Sequence, residues 1–230
     1  MIKQNRYSAQ EIIDHLEKSS FLKSTVSVIS SIPLSAETTP PHLSEDFDFG
    51  AIKTKGGNAY LWTLKNGSVV LWRDVTRAAV LMGSEKFLFI GKGITPGASE
   101  RVFGYIITDH INVSGQNPLI GPNDDMFGDR FPDMTGLYNN ALNEKIIGCF
   151  ENAQLPYRKS VCLIPENKTE LTALENDIIG LRQNVVLSQD VFAGAISAKQ
   201  MSKESAGILF PKDISGGAIE TLIIEIIHCL

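Results

Sequence analysis

A lysine set between two glycines, Gly91-Lys92-Gly93, follows the apolar run Phe87 to Ile90, with Gly97 a few residues further on. Glycines at a strand end let backbone amides approach an anion, and a lysine there can face it. The spacing is not that of a P-loop, because G-x-x-x-x-G-K-[S/T] is absent, and an ordinary strand-to-loop glycine pair is the other reading. Asp124, Asp125 and Asp129 bring three carboxylates into one short stretch. They lack calcium-loop spacing, so loop hydrogen bonding is expected and no metal is assigned. His110 follows Asp109 at an expected strand end, where a hydrogen-bonded structural histidine is favoured over a catalytic base. Trp62 and Trp72 read as core or interface fillers rather than a stacking platform.

The rest of the composition narrows the classes of chemistry. With 21 Lys+Arg against 26 Asp+Glu the formal charge is −5, and no basic run offers itself to a phosphate backbone, so no nucleic-acid partner is expected. The 43% apolar content against 20% charge supports a sizeable core and excludes a disordered chain. Cys149, Cys162 and Cys229 are odd in number and widely spaced, giving neither a disulfide framework nor zinc spacing. The first 20 residues carry Glu11, Asp14, Glu17 and Lys18, and the apolar C-terminal stretch is interrupted by Glu225. Neither a signal peptide nor a membrane span is expected, and the location read from this is cytoplasmic.

These groups need elements to hold them. Ser8-Ala9-Gln10-Glu11 is a capping box, and Ile12, Ile13 and Leu16 continue it as a helix over 9–19. Val26 to Ile29 reads as a buried strand, followed by a Pro/Ser/Thr-rich loop from Ser35 to Ser44. Alternating Tyr60, Trp62 and Leu64, then Asn66-Gly67, then Val69 to Trp72 predict a β-hairpin with a tight turn. Helices are expected over 74–82, 137–150, 170–181 and 191–201, and strands over 87–90, 102–107, 161–164, 185–187 and 208–210. Residues 114–135 form a polar loop longer than connections usually are, hence functional or interfacial. Ile219, Leu222, Ile223, Ile226, Ile227 and Leu230 mark a last amphipathic helix. Alternating helices and short buried strands make an α/β layered domain, taken as one unit over 1–230.

From Asp109 to Met134 the chain reads D-H-I-N-V-S-G-Q-N-P-L-I-G-P-N-D-D-M-F-G-D-R-F-P-D-M. This closely resembles the D-H-I-N … G-Q-N-P-L-x-G-P-N-D-x-R-F-G-x-R-F-P-x-M signature of the trimeric purine nucleoside phosphorylases. The helix and strand order on both sides is similar to that family more weakly. The resemblance implies a three-layer phosphorylase/hydrolase-like fold, with a central mixed β-sheet flanked by helices. It further implies a homotrimer built through the Asn112 to Met134 loop, with Phe131 reaching across to cover a neighbour's ribose. The family reaction is cleavage of a purine ribonucleoside by inorganic phosphate to free base and ribose 1-phosphate. No cofactor is implied beyond phosphate as a co-substrate, and the implied ligand is a nucleoside or purine.

The same resemblance exposes departures. The family's glycine-rich G-S-G-L-G phosphate turn falls on Ser30-Ser31-Ile32-Pro33-Leu34-Ser35, which has no glycine and has a proline without an amide donor. The Arg/His/Tyr/Glu segment after the hairpin looks deleted, leaving Arg73 either as a helix-start arginine in solvent or as a phosphate ligand. The third phosphate turn, N-A-A-G-G, falls on Ile90 to Ile94, which nominates Gly91 and Lys92. The family's purine-binding glutamate falls on Thr169, next to Glu170, which is either recruited in its place or is the first-turn acid of the following helix. The family's purine-binding asparagine falls on Pro211. Ser188 matches the serine of the family's G-M-S segment, a helix cap being the plain alternative. The substrate-binding candidates are therefore Phe131, Ser188, Gly91, Lys92 and Glu170, with no catalytic residue assigned. Phosphorolysis is expected to be weak, altered or absent. The alternative is a non-catalytic trimeric relative serving as an assembly partner or ligand sensor.

Overall fold

The computed structural model describes residues 8–16, 24–34, 42–43, 45–54, 57–96, 101–167, 170–182 and 184–230. At its centre is a nine-stranded mixed sheet. In chain order the strands are β1 (Val26–Ser30), β2 (His42–Leu43), β3 (Phe47–Thr54), β4 (Gly57–Leu64), β5 (Lys86–Gly93), β6 (Gly104–Asn112), β7 (Tyr157–Ile164), β8 (Val185–Leu187) and β9 (Glu204–Pro211). They lie in the order β2-β3-β4-β1-β5-β9-β6-β7-β8. β4, β1, β5 and β9 run parallel to one another, whereas β6 meets β9 antiparallel and leads the parallel set β6, β7, β8. The strands buried on both faces are continuous apolar runs such as Phe87-Leu88-Phe89-Ile90, as a helix-covered parallel sheet requires.

Among the described residues there are six α-helices: α1 (Ala9–Leu16), α2 (Val69–Leu81), α3 (Asn140–Asn152), α4 (Ala173–Leu181), α5 (Phe192–Gln200) and α6 (Gly216–Cys229). α1, α2 and α5 pack on one face, burying Trp62, Trp72, Phe87 and Phe89. α3 and α6 pack on the other, over Leu88, Ile90, Ile208 and Phe210. The three-layer arrangement read from the sequence is thus the one observed, and the C-terminal stripe Ile219, Leu222, Ile223, Ile226 and Ile227 is buried on the sheet as its spacing requires. No helix among the described residues is long and apolar enough to cross a membrane.

Local signals place most elements. In the predicted box before α1, Ser8 Oγ accepts from Glu11 N–H and the Glu11 carboxylate from Ser8 N–H. The expected hairpin at Asn66-Gly67 does not form. Val69 to Trp72 is the first turn of α2, because the Ser68 hydroxyl caps the Leu71 amide and so starts a helix where a returning strand was expected. The antiparallel partner of β4 is instead the preceding strand, β3. β6 continues past Ile107 through Thr108, Asp109 and His110, with a register shift between Ile107 and Asp109 against β7. His110 therefore stands within a strand rather than at its end. The expected loop from Ser35 to Ser44 falls mostly outside the described residues, although His42–Leu43 forms β2.

The sheet also curls. Ile94, just past β5, exchanges backbone hydrogen bonds with Leu187 at the end of β8, at 3.0 and 2.8 Å. Strands at opposite sides of the β5-β9-β6-β7-β8 segment are thereby brought back together, and the carboxyl ends of β5 and β8 share one place.

Candidate active site

That place is built by β1, β5, β8 and the turns that leave them. The Ser188 hydroxyl donates to the carbonyl oxygen of Lys92 at 2.7 Å and accepts from the amide of Asp190 at 3.0 Å. It is a cross-link between β5 and the β8–α5 turn, not a helix cap, since the residue at the start of α5 is Val191 and no side chain caps it. Ser188 is almost fully buried.

Asp190 is the group those bonds position. Its Oδ2 accepts from the Ser31 hydroxyl at 2.8 Å and from the backbone amide of Lys92 at 3.0 Å. A Cβ on Gly91 would stand 2.8 Å from that oxygen, so only glycine leaves room for the carboxylate. A Cβ on Gly67, in the turn between β4 and α2, would stand 3.6 Å from Oδ1. Asp190 thus meets the exit of β1, β5 and the β4–α2 turn at once. Val191 beside it has φ of 67°, a left-handed conformation that a β-branched residue adopts only when its surroundings impose it.

Both cations nominated nearby are committed elsewhere. Lys92 turns its Nζ to the carbonyl oxygens of Pro211 and Ile214, each at 3.3 Å. Burial pushes its pKa down, partly opposed by Asp213. Arg73 forms a fork with Asp74, Nε to Oδ1 at 2.7 Å and Nη2 to Oδ2 at 3.3 Å, and its Nη1 donates to the carbonyl of Pro118 at 3.5 Å. It is not the solvated helix-start arginine that was one of the two expectations: it is a partly buried ion pair tied to the long loop. A groove of about 320 Å³ runs beside it, lined by Val69, Val70, Arg73, Gln116 and Ile120 among others.

The remaining candidates lie apart from this cluster. Glu170 is exposed and precedes α4 instead of occupying its first turn. The first-turn acid is Glu175, in a capping box with Thr172, and its carboxylate also accepts from Glu166 N–H at 2.7 Å. Burial raises the Glu175 pKa, but the amides of Thr172 and Glu166 outweigh it and hold the carboxyl below its ordinary value. Thr169 and Gly97 lie outside the described residues. Phe131 is 86% exposed on the long loop, with the Arg130 guanidinium 5.6 Å from its ring centre. Asp124 caps a single 3-10 turn over Asp125–Phe127, accepting from Met126 N–H, and Asp125 accepts from Asn123. Among the described residues no three His, Cys, Asp or Glu side chains are grouped to hold a metal. His110 places Nδ1 3.2 Å from the Tyr138 hydroxyl, and burial lowers its pKa against the opposing effect of Asp109. A larger cavity of about 510 Å³ lies between the long loop and the start of β9, lined by Asp129, Asp133, Lys199 and Lys203 among others. None of Ser31, Gly91, Lys92, Ser188 or Asp190 lines it.

The fold has counterparts of known structure. The chain superposes on a schistosome purine nucleoside phosphorylase in complex with hypoxanthine with a TM-score of 0.81, over 96% of each chain, at 14% identity. In sequence, it is 32% identical over 114 residues to purine nucleoside phosphorylase 1 of Bacillus subtilis. The chain is related to the purine nucleoside phosphorylases. It is also 30% identical over 115 residues to purine nucleoside phosphorylase 1 of Geobacillus stearothermophilus. Those stretches take up 45% and 50% of this chain and 42% of the length of each of these two relatives. No protein-family model matches the chain.

Asp190 was not nominated from the sequence. Its partners lie 159 and 98 residues away, so no local pattern marks Ser188-Gln189-Asp190 as a site. Of the five nominated residues, the geometry gathers only Gly91, Lys92 and Ser188 around one point.

Proposed function

We propose that this protein is a nucleoside phosphorylase-like binder of a purine nucleoside or purine base in which phosphorolysis is reduced to a trace or lost. The observation that carries the proposal is the condition of the three segments nominated for phosphate. The first contains Pro33, which has no amide to donate. The second is reduced to Lys65–Ser68 between β4 and α2, with the next cation, Arg73, paired to Asp74. The third offers the Lys92 amide, which already serves Asp190. Transition-state stabilisation in a phosphorolysis needs preorganised donors aimed at the attacking oxyanion, and among the described residues of these segments the Ser31 hydroxyl and the Lys92 amide are already bonded to Asp190. On the purine side, the asparagine position is Pro211, whose only polar group is a carbonyl that accepts from Lys92.

Phe131, Ser188, Gly91, Lys92 and Glu170 remain the proposed ligand contacts, Phe131 by reaching a neighbouring copy in a homotrimer. Support for assembly comes from the loop itself, where Ile120, Met126 and Phe131 are all exposed large apolar groups. That observation also favours the second reading, a trimeric relative that assembles or senses ligand without turning it over.

The test is release of hypoxanthine or guanine from inosine or guanosine at saturating phosphate. Loss of one preorganised donor costs on the order of a hundredfold to a thousandfold, so two such losses give turnover at least roughly ten-thousandfold below a member with intact motifs. Turnover on the order of 10 per second would overturn the reading.

A further inference from the structure

We propose that Asp190 is a built-in anion: its carboxylate fills the oxyanion recess at the ends of β1 and β5, and this protein admits no free phosphate there while Asp190 is in place. The inference rests on the reading above only in naming phosphate as the displaced ion; the recess and its occupant are geometric.

Two donors from separate strands, the Ser31 hydroxyl and the Lys92 amide, converge on one oxygen, Asp190 Oδ2, at 2.8 and 3.0 Å. One side-chain hydroxyl just past β1 and one glycine-flanked amide near the end of β5 thus converge as they would on a bound oxyanion. The shape is fitted to a group of this size, since a Cβ on Gly91 would come within 2.8 Å of Oδ2 and 3.0 Å of Cγ. The carboxylate is also aimed. Ser188 fixes the Asp190 amide at 3.0 Å, and the next residue, Val191, is held at φ of 67°, so the turn accepts backbone strain in delivering the side chain. Two of the chain segments that the resemblance places at phosphate, those of Ser31 and of Gly91-Lys92, meet this one side chain.

A free phosphate at this point would need the same two donors and would place a dianion against a carboxylate. Neither nearby cation reaches in to bind it, because Lys92 Nζ donates to the carbonyl oxygens of Pro211 and Ile214 and the Arg73 charge is paired with Asp74. Occupancy by Asp190 and by phosphate is therefore mutually exclusive.

The experiment compares wild type, Asp190→Ala and Asp190→Asn by thermal denaturation in phosphate, sulfate or chloride of equal ionic strength, with equilibrium dialysis against labelled phosphate. Wild type and Asp190→Asn, which keep the recess filled, show only the general salt effect and shift alike across the three salts. Asp190→Ala, with the recess vacated, gains roughly 3 to 6 °C more than wild type in phosphate or sulfate at ten times their dissociation constant. A salt response of Asp190→Ala equal to that of wild type overturns the proposal. Should that variant not fold, wild-type dialysis decides: phosphate bound by wild type and lost in Ser31→Ala overturns it, and absence of phosphate binding upholds it. No nucleoside enters these measurements, so a failure to bind purines leaves this result standing, and the reverse.

Discussion

The Ser188 hydroxyl sits between the carbonyl oxygen of Lys92 and the amide of Asp190, 2.7 and 3.0 Å away, and so couples β5 to the turn that carries the carboxylate. Ser188→Ala leaves both backbone groups without that partner in a nearly buried setting. A cost of about 1 to 3 kcal/mol in unfolding free energy is expected, measured by denaturant titration. An unchanged midpoint would show that water replaces the hydroxyl and that the turn does not depend on it.

His110 gives a pH dependence with a definite sign. Burial holds its pKa below the ordinary 6.5, more strongly than Asp109 raises it. The unfolded chain therefore takes up a proton that the folded chain refuses. Stability from this group is complete above pH 6.5 and is lost as the pH falls below that value towards the folded pKa. His110→Gln removes the titration, so the acid-side decline in melting temperature becomes shallower than in wild type. Parallel profiles for the two proteins would refute the assignment.

Ile223 lies in the buried stripe of α6 at 2% exposure. Ile223→Asp puts an unpaired carboxylate against the sheet, at an expected cost of roughly 3 to 5 kcal/mol. A melting temperature equal to wild type would mean that the helix is not seated as described.

Light scattering at micromolar concentration is expected to give the mass of three chains, because the long loop exposes Ile120, Met126 and Phe131 together. Phe131→Ser combined with Met126→Ser should lower that mass. A wild-type monomer would remove the shared-site reading and leave the fold untouched.

The elements most legible in the sequence were those specified by short-range physics. The box at Ser8 and Glu11 and the apolar stripe of α6 depend on residues three or four apart, and both are where their spacing puts them. The reading failed where one local signal overrode another. Asn66-Gly67 is a sound hairpin signal, but Ser68 directly after it captures the Leu71 amide and begins α2. β3 was overlooked although Phe47 and Phe49 alternate with Asp48, and it is the strand that β4 needed. The polar run Thr108-Asp109-His110 looked like a strand end, whereas the register shift beside it lets β6 continue. At the site, glycine and serine positions were found by resemblance, but Asp190 was not, because its meaning comes from chain segments distant in sequence.

The contact between Gly91 and Asp190 also constrains the order in which this chain could change. Any side chain at position 91 collides with the side chain at 190, its Cβ first and then its carboxylate, so a substitution there is closed until position 190 has first lost its bulk. The two sites form a one-way latch: Gly91→Ala becomes open only after position 190 has lost its side chain, as in Asp190→Gly. A double-mutant comparison would register this as strong non-additivity, with the second change far less harmful in the background of the first. In the history of such a chain, an aspartate arriving at 190 would have locked glycine at 91 behind it.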